Sequence, residues 1–261
     1  MHTKDLERYQ RQLLIEHISI KGQQKLFDAK VLVCGAGGLG SSALMYLAAA
    51  GVGNIGLCDF DVVSLSNLNR QILYVPDDLR KQKIIIAKKK LEKFNPDIKI
   101  IAHFEKLTLD NAKRIFKNYD IIIDAVDNFS SRYLINEVAY KNFIPLVCGA
   151  VCECEGILTT IIPKENTSCF RCIYPTSPSL NFTSKTFGIL GAVAGIIGSM
   201  EALEAIKLIL GLDCLKNKIL IFKGIENTYR IRTIIKKNNC EVCANNVFTK
   251  GEWGNVKTED W

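Results

Sequence analysis

An α/β fold, a doubly wound and mostly parallel sheet extended by antiparallel strands, follows from three features of the sequence. From Lys30 onward, short β-branched runs alternate with helical patterns, the order that places helices on both faces of a sheet. The first run enters a glycine-rich turn containing Gly35, Gly37, Gly38 and Gly40, which opens a helix. Beyond residue 155 the pattern changes, and the runs at 156–162, 219–222 and 229–235 read as antiparallel pieces.

The elements follow in chain order. A helical segment over 1–29 runs up to Phe27 and is peripheral. A buried strand at 31–35 leads to a small-residue helix at 39–50 that Gly51 closes, and a second strand covers 55–61. Further strands fall at 98–104, 119–124 and 144–149. The stretch 174–186 is rich in Pro, Ser, Thr and Asn without periodicity, and is expected to be a mobile crossing loop before a long helix at 194–210. The chain is thus expected to form one domain over 1–243 with a tail over 244–261.

Composition fits a globular protein: 261 residues, 48% hydrophobic and 23% charged, enough for one large core. The net charge of +7 favours acidic partners such as nucleotide phosphates, but the basic residues are spread along the chain, so nucleic acid is not expected. The apolar run at 188–200 is followed by Glu201, Glu204 and Lys207 and is shorter than the roughly 20 residues a bilayer needs, so no membrane span is expected. The polar start predicts a cytoplasmic protein.

The glycine turn places backbone N–H groups and a helix N-terminus where phosphates bind, and a Cβ there would hold a phosphate away. Nineteen residues after Gly40 comes Asp59, at the distance where a carboxylate accepts hydrogen bonds from ribose hydroxyls. Without that acid, the turn could equally serve tight strand–helix packing. Asp61, Asn67, Asn69, Arg70 and Gln71 follow, amides and an arginine beyond the ribose position, where a triphosphate rather than a nicotinamide would be handled. Arg70 can neutralise charge as pyrophosphate leaves, and Lys83 can do so as a point charge. The alternative for Lys83 is a solvated face shared with Arg80, Lys81, Lys88, Lys89 and Lys90. Asp127 and Asn128 close a buried run at the carboxyl edge of the sheet. Asp127 suits Mg²⁺, which takes one or two carboxylates together with phosphate oxygens, or it caps a helix beginning near Ser130.

Cys169 and Cys172 form one Cys-x-x-Cys pair, Cys240 and Cys243 a second, with 67 residues between them. Two such knuckles complete a closed tetrahedral zinc shell with no open position, a structural role. A redox pair is the alternative, but neither is expected to open a helix after a strand. Cys34, Cys58, Cys148, Cys152, Cys154 and Cys214 read as core filling. His2, His17 and His103 have no partners at ligand spacing.

Together these segments resemble the ThiF/MoeB/HesA adenylyltransferases and the adenylation domains of ubiquitin-activating enzymes, from Arg8-Tyr-Gln-Arg11-Gln through the last cysteine pair. The resemblance implies a Rossmann-like domain that binds ATP and Mg²⁺ with Gly35, Gly37, Gly38, Gly40, Asp59, Asp61, Asn67, Arg70, Lys83, Asp127 and Asn128, and Zn²⁺ with the four knuckle cysteines. It implies catalysis by Arg70, Lys83, Asp127 and Arg11, the last inserted from the partner subunit of a homodimer. The implied reaction is adenylation of the C-terminal glycine carboxylate of a ubiquitin-like sulfur carrier ending in Gly-Gly. Two departures stand out. The segment 79–83 lacks the Gly- and Pro-containing turn of many relatives. The crossing loop reads Thr183-Ser184-Lys185-Thr186 where sulfur-transferring relatives place a cysteine, so no covalent capture is expected there. Alternatives are adenylation of a short peptide or another carboxylate, a non-catalytic partner subunit that would be expected to lose Arg70, Lys83 or Asp127, and a nicotinamide oxidoreductase.

Overall fold

The computed structural model describes residues 3–176 and 187–244. Its eight strands form one sheet in the order β3-β2-β1-β4-β5-β6-β7-β8. β1 (Lys30–Cys34), β2 (Asn54–Cys58), β3 (Lys99–His103), β4 (Ile121–Asp124) and β5 (Leu146–Cys152) run parallel. β6 (Glu155–Ile161), β7 (Lys218–Lys223) and β8 (Thr228–Thr233) extend them antiparallel. This is the expected mixed sheet. The order reverses between β1 and β4, and ligands bind at such a switch, above the carboxyl ends of the strands.

β1 is buried on both faces because each face has its own helical layer. Val31 and Val33 belong to a core shared with α3 (Gly38–Ala50), α4 (Lys83–Phe94) and α8 (Gly191–Leu210). Leu32 and Cys34 point the other way, into a core shared with α5 (Leu109–Phe116), α6 (Phe129–Lys141) and the four knuckle cysteines. Each fully buried Leu or Ile contributes about 1.5–3 kcal/mol. α3 and α8 pack together tightly: a Cβ on Gly198 would lie 2.2 Å from the Leu39 carbonyl. α3 ends at Gly51, whose φ of 78° lets its N–H return to the Ala48 carbonyl, as the sequence anticipates.

Four local features depart from expectation. The N-terminal segment is two helices, α1 (Thr3–Leu13) and α2 (Ser19–Asp28), and α1 is anchored by buried Tyr9, whose hydroxyl accepts from Asn95 Nδ2 at 2.9 Å. β2 ends at Cys58 because the Asp59 carboxylate draws the chain out of the sheet, taking the Asp61 N–H at 2.7 Å and the Ala36 N–H at 2.8 Å. Cys169 caps a short helix, α7 (Phe170–Ile173), so that pair does open a helical turn. Cys152 and Cys154 are not core filling: Glu153, at φ 53°, turns the β5–β6 hairpin and leaves Cys152 exposed and Cys154 half-buried, while Cys34, Cys58, Cys148 and Cys214 are buried.

Residues 177–186, which carry most of the crossing loop and Ser184, and the tail from 245 lie outside the described residues. Among the described residues, no helix is long and apolar enough to cross a membrane.

Candidate active site

A cavity of about 480 Å³ opens at the strand switch. Its floor is the turn from β1 into α3. Gly35 has φ 96°, and a Cβ there would lie 2.6 Å from the Ala125 carbonyl, so only glycine fits. Gly37 and Gly38 line the cavity; a Cβ on Gly37 would meet nothing closer than Gln71 Nε2 at 3.6 Å, which leaves open the space a phosphate needs. Gly40 serves differently from the expectation. A Cβ there would sit 2.0 Å from the Gly35 carbonyl, so this glycine lets helix and strand close on each other and does not line the cavity.

Asp59 stands at the cavity wall with one carboxylate oxygen on the Ala36 N–H and the other on the Asp61 N–H. Tyr74 braces the same turn, its hydroxyl donating to the Ala36 carbonyl at 2.9 Å, and burial raises that phenol well above its ordinary pKa. Asp61 meets Lys83 Nζ at 3.0 Å. Lys83 is 4% exposed and faces the cavity, so it is not on a solvated face, unlike the exposed Lys81 and Lys89. Short antiparallel pairing fixes it: the Lys83 N–H reaches the Asp61 carbonyl and the Val63 N–H reaches the Lys81 carbonyl.

Arg70 lines the opposite wall, steadied by the Ser66 carbonyl at 2.8 Å and Asn69 Oδ1 at 2.9 Å. Asn67 is not among the lining residues; its side-chain oxygen accepts from the Ser64 N–H and closes a 3₁₀ turn. Asp127 and Asn128 line the third side. Asn128 is the cap of α6, accepting from the Ser131 N–H at 2.9 Å, so Asp127 does not cap that helix. The exposed Asp127 carboxylate offers a hard oxygen donor beside the phosphate space, a chemistry that fits Mg²⁺. Arg11 is exposed on α1 and does not line its own chain's cavity.

Of the remaining lining groups, the sequence points only to Gln71, in the segment beyond Asp59. Arg132 is buried and pairs with Asp124 at 3.3 Å. Gln71 is 5% exposed, and its Oε1 has no hydrogen-bond partner among the described residues. Phe129, Phe170 and Tyr174 form an aromatic wall with centroids 5.1–6.0 Å apart. Arg132, Phe129 and Tyr174 belong to no spacing motif and arrive by tertiary packing, as does Phe170, which only happens to lie inside the first knuckle. Cys152 also reaches the cavity; partial desolvation and the Glu153 and Glu155 charges raise its pKa, which disfavours the nucleophilic thiolate.

Behind the aromatic wall the two knuckles meet. The Cys169 and Cys240 sulfurs lie 3.5 Å apart and those of Cys172 and Cys243 3.3 Å, with all four within 4.8 Å of one another. A tetrahedral zinc–thiolate shell spaces its sulfurs by about 3.8 Å, so the four fit one ion. The Lys237 N–H donates to Cys172 Sγ at 3.4 Å, the kind of support that steadies a ligating thiolate. The convergence of four buried sulfurs fits a shared metal ion.

A model of the ThiF family matches residues 9–243. The chain belongs to the ThiF family. Among named relatives of this ThiF-family chain is the "Sulfur carrier protein ThiS adenylyltransferase" of Escherichia coli (strain K12), 36% identical over 244 residues that cover 94% of the chain and 97% of that protein. "Adenylyltransferase and sulfurtransferase MOCS3" of Culex quinquefasciatus is 40% identical over 250 residues, covering 94% of the chain but 57% of the relative. The chain thus spans little more than half the length of that relative. Among solved structures, E. coli MccB with MccA-N7isoASN superposes with a TM-score of 0.81 at 24% identity, covering 94% of the chain and 76% of MccB. PaaA does so with a TM-score of 0.77 at 24% identity, covering 91% and 76%. These two likenesses show the ThiF-family fold.

Proposed function

We propose that the chain is an adenylyltransferase that activates the C-terminal glycine carboxylate of a ubiquitin-like sulfur carrier ending in Gly-Gly. One observation carries this reading: Gly35, Gly37, Gly38, Asp59, Arg70, Lys83 and Asp127 face a single cavity, the groups that a nucleoside triphosphate and an attacking carboxylate together require. The names of the ThiS adenylyltransferase and its relatives support the choice of substrate.

In this mechanism the glycine turn and the α3 N-terminus hold phosphate oxygens, and Asp59 takes the ribose hydroxyls. A carboxylate oxygen of the carrier attacks the α-phosphorus, the bond to pyrophosphate breaks, and an acyl-adenylate forms. Lys83 and Arg70 neutralise the charge that moves onto the leaving pyrophosphate. Catalysis is by positioning and charge stabilisation and needs no side-chain nucleophile. Asp127 would hold Mg²⁺, which when bound would supply further charge neutralisation. Zn²⁺ on the four cysteines has a structural role. Arg11 acts in trans within a homodimer, in keeping with its exposed place on α1 outside its own cavity.

Pyrophosphate exchange into ATP, measured with Gly-Gly-ending carriers and with short peptides, tests the reading. Exchange with a carrier is expected. Exchange with peptides alone transfers the substrate assignment to the peptide class, and ATP binding without exchange on any carboxylate overturns adenylation.

A further inference from the structure

We infer that Arg132 is a positioning residue for Asp127, holding that carboxylate where the metal–phosphate complex forms. Both peptide groups of Val126, the residue before Asp127, are tied to one buried ion pair. The Val126 N–H donates to Asp124 Oδ1 at 3.3 Å, and Arg132 Nη2 donates to the Val126 carbonyl at 2.5 Å. Arg132 Nη1 closes the loop on Asp124 Oδ2 at 3.3 Å. On the far side of Asp127, Asn128 is fixed as the α6 cap, and the Arg132 N–H donates to the Asn128 carbonyl at 3.2 Å. Asp127 therefore sits between two immobilised residues while its own carboxylate is exposed to the cavity.

The chemistry favours arginine over a generic cation. Asp124 is 0% exposed and needs a counter-charge, which a lysine could supply. The second bond, to Val126, needs a planar fork with donors in fixed directions, which a lysine lacks. A pair serving only to neutralise Asp124 would be weak support for the fold, because desolvation offsets most of its attraction. Its geometry is instead that of an outer residue orienting a ligand through the backbone, and losses of such groups typically cost on the order of 10- to 100-fold in metal affinity. The inference rests on the adenylation reading only in giving Asp127 the metal.

The test titrates Mn²⁺, as a magnetic stand-in for Mg²⁺, into the full chain with ATP and no carboxylate substrate, read by electron paramagnetic resonance. Arg132→Lys keeps a charge beside Asp124 and loses the fork. Asp124→Asn, neutral and of equal size, is made in parallel so that a folded variant is secured. Both should raise half-saturating Mn²⁺, Arg132→Lys by roughly tenfold or more. In an Asp127→Asn background, Arg132→Lys should add nothing further, because the two act through one carboxylate. Unchanged Mn²⁺ half-saturation in a folded variant, or an equal added loss in the Asp127→Asn background, overturns the proposal. Wild type that binds Mn²⁺ no better than Asp127→Asn removes the metal from Asp127, and this inference with it. Intact Mn²⁺ binding with no pyrophosphate exchange overturns adenylation alone.

Discussion

Lys83 Nζ lies 3.0 Å from Asp61 Oδ2, and the pair is unequal: the lysine side chain is 5% exposed and the carboxylate 55%. Removing the ammonium therefore leaves Asp61 solvated rather than stranded. Lys83→Met should change stability by about 1 kcal/mol or less, the range of exposed pairs. Pyrophosphate exchange should fall by roughly 100- to 1000-fold, as when one preorganised donor to a developing charge is lost. Parallel melting and kinetics decide it, and a melting drop large enough to account for the rate would return Lys83 to a structural role.

Asp127 and Asn128 are adjacent but should fail in opposite ways. Asn128→Ala removes the α6 cap and should cost about 1 kcal/mol, lowering Tm by roughly 2–4 °C. Asp127→Ala should leave Tm near wild type and abolish exchange, since the exposed carboxylate holds no helix end. Wild-type exchange in Asp127→Ala would take this residue out of the chemistry.

Arg11 is exposed outside its own cavity, which frames a mixing experiment. Arg11→Ala and Arg70→Ala should each be inactive. Mixed and allowed to exchange subunits, they should recover about a quarter of wild-type activity or less, because one site in a heterodimer is complete. Exchange of subunits without recovery would refute sharing.

One zinc per chain should be present by elemental analysis. Cys240→Ser should lose it and most of the domain's stability, since zinc binding to such shells contributes about 10 kcal/mol or more. A stable, metal-free wild type would contradict this.

Glu201 is fully buried beneath Gly149, and among the described residues no side chain donates a hydrogen bond to its carboxylate. Burial above all, with the Asp124 charge adding to it, raises its pKa well above the usual 4.5. The folded state then holds this proton more tightly than the unfolded chain. As pH rises above 4.5 the unfolded chain gives up its proton first, so wild-type stability falls with pH. Glu201→Met removes that loss, and its stability advantage should widen between pH 4 and pH 8. A pH-independent difference would show that Glu201 does not titrate.

Much of this site could be read from the sequence because its residues lie at the ends of adjacent elements, where spacing along the chain becomes spacing in the fold. Gly37, Asp59, Lys83 and Asp127 are of this kind, as are the paired knuckles. Arg132 could not be read, since a lone arginine inside a helix acquires meaning only when a strand places Asp124 beside it. The exposure of Cys152 depends on one left-handed residue, Glu153, that no apolar period announces. Asn67 also closes a local turn, its side-chain oxygen accepting from the Ser64 N–H, a bond that spacing along the chain does not announce. Gly40 shows that a motif can be right while its physical reason is packing rather than ligand approach.

The knuckles also set an order on assembly of the chain. Cys169 and Cys172 emerge before α8, β7 and β8 exist, whereas Cys240 and Cys243 come after them. A four-thiolate shell can therefore close only once the segment carrying α8, β7 and β8 has been made. During synthesis the first knuckle waits through 67 intervening residues, and a metal shared by all four cysteines would tie the start of that segment to its end.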